Sequence, residues 1–360
     1  MAYRVYAVSA NVWNDPVPVK AASFTWARSK NHGEQGQATF QLGDPVIAEA
    51  LGLYDLYPGD KYLVLDWDGT ALYAGRIFSA DYKRDDQVLT VSHSDVWAEW
   101  ERRLVLTDRT PDVAKSKVTY SGVTLATIAK RVVQAGITGP AGENYSMPIR
   151  FEDDVAGSSS RTYYGYDMMK VSEALTDIME SQTDLDIDFF PRWADGALEW
   201  QMRVGDLSWN ELEYDLSAPG SGAKGLWVKT DATQRVNRVY GIGEGTEVDT
   251  LVRVSTSGNI KLNMASETAE SYKDVKVGSQ LQDRAQESIV ANNGTTRQAG
   301  FDVLADGAHK VSEFRPGIPV WWNVRNDPYI LDGKRAWELI KYSGSLDEWV
   351  TLEFQQKEGG

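Results

Sequence analysis

Apolar and polar positions alternate most regularly between Lys61 and His93, where the pattern predicts three antiparallel strands. Lys61 to Trp67 is the first, stopped by Asp68-Gly69, a dipeptide suited to a tight hairpin turn. Ala71 to Lys83 is the second, and Gly75 inside it suggests a bulge or bend. After the Asp85-Asp86 turn, Gln87 to His93 forms the third, weighted by Val88, Leu89 and Val91. A meander leaves its edges open unless it closes or gains strands, so this stretch predicts the main part of a small β-barrel. Upstream, Tyr3 to Val12, Ala22 to Arg28 and Gln37 to Leu42 read as further strands. Asp44-Pro45 predicts a short helix with Asp as its N-cap, closed by Gly52.

The meander recurs near the C-terminus. Pro58-Gly59 matches Pro316-Gly317, and Gly75 and Gly333 each stand 16 residues beyond the matched glycine. Arg76 follows the first; Lys334 and Arg335 follow the second. Leu89-Thr90-Val91 then matches Val350-Thr351-Leu352. Two unrelated meanders sharing common turn residues would also give this pattern. The sharper reading is a duplicated barrel, marked by Pro58, Gly59, Gly75, Arg76, Pro316, Gly317, Gly333 and Arg335.

Between the copies the periodicity changes. Asp95 to Arg103 predicts a short amphipathic helix anchored in the core by Trp97 and Trp100. Leu125, Ile128, Val132 and Val133 keep helical spacing, with Gly136 as the expected C-cap. Gly139 to Tyr166 reads as a polar, mobile loop. Asp167 is the expected cap of a second helix carrying Met168, Val171, Leu175, Ile178 and Met179. A hairpin turning at Asp195-Gly196 follows. The expected division is 1–105 for the first barrel, 106–220 for an α/β insert, 221–245 with 301–357 for the second barrel, and 246–300 for a further insert. That last insert should hold two short strands and a helix with a Ser279/Gln282 capping box.

A chain of 360 residues exceeds one ordinary core. It has no cysteine, which excludes disulfides and thiolate metal sites, and no apolar run long enough for a membrane span. The N-terminus lacks the layout of a signal peptide. Its histidines, His32, His93 and His309, lie far apart, against a zinc site. A net charge of −15 argues against gripping nucleic acid; it fits plain solubility, and equally a channel past which DNA slides without sticking. Asp184, Asp186 and Asp188 imitate the start of a calcium loop, but their alternation with Leu and Ile says strand, with the carboxylates on a wet face. Gly241, Gly243 and Gly245 follow a strand without a helix behind them, so a turn is expected there rather than a phosphate cradle. Glu152, Asp153 and Asp154 sit in the polar loop and are expected to be solvated. No nucleophile or cofactor motif occurs, and neither catalysis nor a cofactor is expected.

The order of parts resembles the tail hub, or baseplate hub, of tailed bacteriophages, including siphophage minor tail proteins. The resemblance rests on GEQGQATFQL, PGDKYLVLDWDGTALYAGRI and DQVLTVSHSDVWAEWERRLV, then on YDMMKVSEALTDIMESQTDLDIDF and RVYGIGEG. It implies a multidomain α+β, mainly β fold with two similar tail-tube-like β-barrels and α/β inserts. It further implies a homotrimer whose six barrels adapt a six-fold tail tube to a three-fold tip. The implied partners are the distal tail protein and tail tube, the tape measure protein C-terminus, and receptor-binding or tip proteins. Genomic DNA would pass through the lumen without specific binding, and the site of action would be the virion tail tip after assembly in the bacterial host cytoplasm. The chain stops about six residues after its last predicted strand, so no peptidoglycan-cleaving part is expected. Two rivals remain: a carbohydrate-binding or carbohydrate-cleaving β protein using the 13 Trp and 17 Tyr, and the spike base of a contractile injection system. Aromatics exposed along one groove would favour the first; buried aromatics would favour a scaffold.

Overall fold

The computed structural model describes residues 3–43, 45–52, 60–182, 185–208, 210–218, 220–233, 235–258, 264–273, 275–292 and 294–356. The chain divides into two compact units, Met1–Leu226 with Gly300–Gly360, and Trp227–Ala299. No helix among the described residues is long and apolar enough to cross a membrane.

The larger unit opens with strands β1 (Tyr3–Ser9), β2 (Val17–Val19), β3 (Ser23–Phe24), β4 (Trp26–Ser29) and β5 (Gln35–Gln41), then helix α1 (Pro45–Ala50). The expected meander follows as β6 (Lys61–Trp67), β7 (Thr70–Lys83) and β8 (Val88–Ser94). Asp68 and Gly69 both take positive φ, which their turn requires. These strands form one sheet in the order β2-β1-β6-β7-β8-β5-β3. The path is open at both ends, so the unit is a half-barrel. Six of the seven residues of β6 are buried, on both faces. One face belongs to the core shared with the α/β insert, through Tyr62, Val64, Ala71 and Ala74.

The insert contains α2 (Trp97–Trp100), β9 (Lys117–Val123), α3 (Leu125–Gly136), β10 (Ile149–Arg150), β11 (Ser159–Tyr164), α4 (Val171–Glu180), β12 (Asp186–Ala194) and β13 (Ala197–Gly205). Trp97 and Trp100 are core residues, as expected. Three expectations are corrected here. The stretch 139–166 is not one loop: β11 pairs antiparallel with β9, and β10 pairs parallel with β13. β11 reads Ser-Ser-Arg-Thr-Tyr-Tyr, and of these only Tyr163 is buried, so most of the strand carries no apolar signal. Asp167 does not cap α4; the helix starts after Lys170, whose N–H donates to Glu173 Oε2 at 3.2 Å. Gly136 lies inside α3, where a Cβ would stand 2.7 Å from Val171 Cγ2, so this glycine serves the contact between α3 and α4.

The C-terminal sheet uses β14 (Leu212–Asp215) and β15 (Ala223–Asp231). It is completed, beyond the smaller unit, by β19 (Thr296–Leu304), β20 (Pro319–Val324), β21 (Gly333–Gly344) and β22 (Trp349–Gln355). The order is β14-β20-β21-β22-β19-β15, with β4 added on β21. In both halves a three-strand meander is followed, on its last strand, by an earlier strand: β6-β7-β8-β5 and β20-β21-β22-β19. Each middle strand carries one register shift against the last, after Ile77–His93 in one half and after Leu339–Phe354 in the other. The predicted strand Ala22 to Arg28 is split between the two halves. β3 pairs with β5, while β4 pairs antiparallel with the far end of β21.

The smaller unit places β16 (Arg238–Ile242) between β17 (Val252–Thr256) and β18 (Glu267–Ser271), with α5 (Gly278–Asn292) packed on them through Ala285 and Ile289. Thus β16, assigned above to the second barrel as part of 221–245, pairs inside the insert. Ser279 lies within α5 and forms no capping box with Gln282, whose side chain donates to Val254 O at 3.2 Å and to Ser255 Oγ at 2.6 Å.

Candidate assembly site

The strand that crosses between the halves joins a cluster of buried polar and charged groups. Alternation along β4 places Trp26 and Arg28 on the same side of the strand. Trp26 lies opposite Gly344 and meets Tyr342 edge-on, with ring centroids 5.6 Å apart. Its Nε1 donates to Ser345 O at 3.3 Å. Arg28 is buried and donates to Asp188, to Tyr342 Oη at 3.3 Å and to Phe189 O at 3.3 Å. Burial alone would pull its pKa down, but Asp188 and Tyr342 outweigh that and hold it above the ordinary arginine value. Arg315, over the Phe190 ring at 3.4 Å, is lowered to about 10 by burial.

Two residues on, Lys30 bridges Asp186 at 2.9 Å and Glu338 at 2.7 Å. Asn31 donates to Asp186 at 2.8 Å and accepts from the Ile187 N–H at 2.9 Å. β4, β12 and β21 are therefore joined through Arg28, Lys30, Asp186, Asp188, Glu338 and Tyr342. Asp186 and Asp188 do lie on a strand, but they are buried against cations rather than wetted. The visible signal was two cations spaced i,i+2 and two carboxylates spaced i,i+2; nothing local says that the two pairs meet. Asp184 lies outside the described residues.

The marker residues have separate environments. Pro58 and Gly59 lie outside the described residues. Gly75 sits mid-strand, where a Cβ would stand 2.4 Å from the Tyr73 hydroxyl; the register shifts of β7 fall elsewhere. Arg76 donates to both oxygens of buried Glu99 at 3.0 Å, and Tyr62 donates to Glu99 Oε1 at 2.9 Å. Glu99, Arg76 and Arg103 line a cavity of about 210 Å³ with Asn144 and Ser146. Pro316 precedes Gly317, whose N–H donates to Leu339 O at 2.8 Å beside Leu207. Gly333 opens β21 at φ +126°, and Arg335 donates to Leu331 O.

The remaining candidates are structural. Asp154 pairs with Lys130 and Arg131, while the Lys130 Nζ also donates to Glu152 O at 2.9 Å. Gly241 lets β16 approach Leu281 of α5, and Gly245 takes φ +118° against Asp249. His93 is buried under Phe24, centroid distance 4.7 Å, and its Nδ1 bonds the Tyr73 hydroxyl at 2.8 Å. His309 touches Glu213 and Glu313, and His32 is exposed near Glu34. Among the described residues, no three His, Asp or Glu side chains gather in a metal-holding group.

No family model matches the chain, and no curated protein matches it either. Solved structures do. A 43 kDa tail protein of prophage MuSo2 from Shewanella oneidensis has TM-score 0.59 at 12% identity, over 98% of each chain. This chain has the phage tail-protein fold. The tail protein from Neisseria meningitidis MC58 has TM-score 0.57 at 16% identity, covering 100% of this chain and 98% of that one. A chain of the Francisella PdpA-VgrG complex, half-lidded, gives TM-score 0.59 at 10% identity over 58% of its length. The tail-protein fold thus spans this chain end to end, both half-barrels and both inserts included.

Proposed function

We propose that this protein is a structural component of a phage tail: a trimeric hub at the distal end of the tube, adapting six-fold to three-fold symmetry and allowing DNA exit. The observation that carries the reading is the repeated strand order, β6-β7-β8-β5 and β20-β21-β22-β19, in a chain of tail-protein fold. Two equivalent units per chain let three chains present six. The work is then mechanical, and its partners are the tube, the distal tail protein, the tape measure C-terminus and the tip proteins. Tryptophan placement supports a scaffold over a sugar groove, since Trp26, Trp97, Trp100, Trp200, Trp322 and Trp337 are all buried. A spike base in a contractile injection system is the second reading, favoured by the likeness to the Francisella chain. Electron microscopy of the purified chain tests both. A three-chain ring with quasi-six-fold symmetry that docks on isolated tail tubes supports the hub, and docking only on a contractile spike supports the second reading. A stable single chain overturns them.

A further inference from the structure

We propose that the exposed far end of β7 is a docking edge for a second copy of this chain, which pairs its segment Trp227–Thr230 there antiparallel. The proposal deepens the hub reading and takes from it the number of copies in the ring.

The template is inside the molecule. Taking the two register shifts as equivalent sets Ile77–His93 against Leu339–Phe354. Counting on, Ser79, Ala80, Asp81 and Tyr82 correspond to Lys341, Tyr342, Ser343 and Gly344. In the C-terminal half that stretch is covered: Ser29, Arg28, Ala27 and Trp26 pair with it in turn. In the N-terminal half, Ser79 to Lys83 pair with β8 on one side and are all exposed. Among the described residues no strand pairs with the other side of Ser79 to Lys83, and five exposed residues with an open row of backbone groups form the edge that proteins ordinarily cover. The same architecture covers it once and leaves it bare once.

The covering segment is also duplicated. β3 and β15 each end their sheet beside the strand that follows the meander, β5 or β19. β3 runs on through Thr25 into Trp26-Ala27-Arg28-Ser29. β15 is a single nine-residue strand containing Trp227-Val228-Lys229-Thr230. The order aromatic, small apolar, basic, hydroxyl is kept. Trp26 is buried against β21, whereas Trp227 is 39% exposed.

Within one chain the first half supplies the strand and the second half supplies the edge. The leftover pair is the strand Trp227–Thr230, which belongs to the smaller unit, and the edge on the first half of the larger one; a second copy supplying the one to the other makes a head-to-tail contact. The inferred register sets Trp227 opposite Tyr82, itself 49% exposed, and Val228 opposite Asp81. Strand addition of this kind gains main-chain hydrogen bonds and side-chain specificity together.

The absence of cysteine makes the test direct. Asp81→Cys with Val228→Cys in the full chain should oxidise into interchain disulfides, giving covalent multimers. Ala27→Cys with Ser343→Cys, the matched internal pair, should close within one chain. Trp227→Ala should raise the concentration at which the ring dissociates at least tenfold, while Tyr329→Ala, at an exposed aromatic elsewhere, leaves it unchanged. A three-chain ring in which the internal pair closes and the Asp81/Val228 pair stays open overturns this contact and leaves the hub standing. A single chain at every concentration overturns both.

Discussion

His93 and Phe354 occupy the same position in two copies of one strand pairing: each is the last residue of its strand matched before the register shift, opposite Ile77 and Leu339 respectively. Both are buried. One copy fills the position with a phenyl ring; the other uses an imidazole that stacks on Phe24 and bonds Tyr73.

That difference carries a pH dependence. Burial pulls His93 down to about 4, against about 6.5 in an unfolded chain. Its folded pKa is depressed, so the unfolded chain takes up the proton first. The contribution is complete above pH 6.5 and is lost as pH falls toward 4, by up to about tenfold in the folding constant per pH unit. Asp95 acts in the opposite sense. Withheld water raises its carboxyl to about 7, so its contribution is complete below about 3.8 and lost as pH rises through 7. The two offset one another between pH 4 and 6.5. His93→Phe should therefore unmask a stability that declines from pH 4 to 7, seen by urea unfolding at three pH values. An unchanged profile would place the titration on another group.

Removing one partner of the crossing pair should be costly. Asp188→Ala leaves the Arg28 guanidinium buried without its carboxylate, a loss of about 3–5 kcal/mol. Arg28→Met combined with Asp188→Leu should recover most of it, because two apolar groups need no solvent. Denaturant midpoints of the three variants read this out; equal losses in the single and double variants would contradict it.

Glu99 should matter more than Arg76. Glu99 serves Tyr62, Arg76 and Arg103 together, and Glu99→Ala removes all three bonds at once and leaves the buried Tyr62 hydroxyl without this acceptor, for a cost of about 3 kcal/mol. Arg76→Ala leaves Glu99 with Tyr62 and Arg103 and should cost about 1 kcal/mol. Thermal unfolding of the two variants at pH 7 ranks them.

Gly75 and Gly333 should fail for different reasons. Gly75→Ala drives a methyl into the Tyr73 ring and hydroxyl, costing about 1–3 kcal/mol. Gly333→Ala meets no atom within 4 Å but strains a backbone at φ +126°, at a similar cost of about 1–3 kcal/mol. A Tyr73→Leu background should absorb much of the first cost and none of the second. Additivity for both would show that Tyr73 is not the obstacle.

The residue pattern alone determined the local elements. Alternation marked β5 to β8, Asp-Gly pairs marked the turns at Asp68 and Asp195, and helical spacing marked α3 and α4, because these depend on neighbours within a few residues. It also exposed the duplication: Leu89-Thr90-Val91 and Val350-Thr351-Leu352 fall at equivalent places in the two sheets. The equivalence of Gly75 with Gly333 does not follow the register, since aligning the shifts sets Gly75 opposite Trp337 in the second copy. Glycine and proline spacing records turns, and the loops between strands differ in length. Only tertiary structure decided that Trp26–Ser29 leaves its own sheet for β21, that Asp186 and Asp188 are buried, and that 159–164 is a strand. The first two depend on partners more than a hundred residues away, which leave no local trace; the third depends on pairing with β9, and the polar run Ser159 to Thr162 shows no apolar alternation.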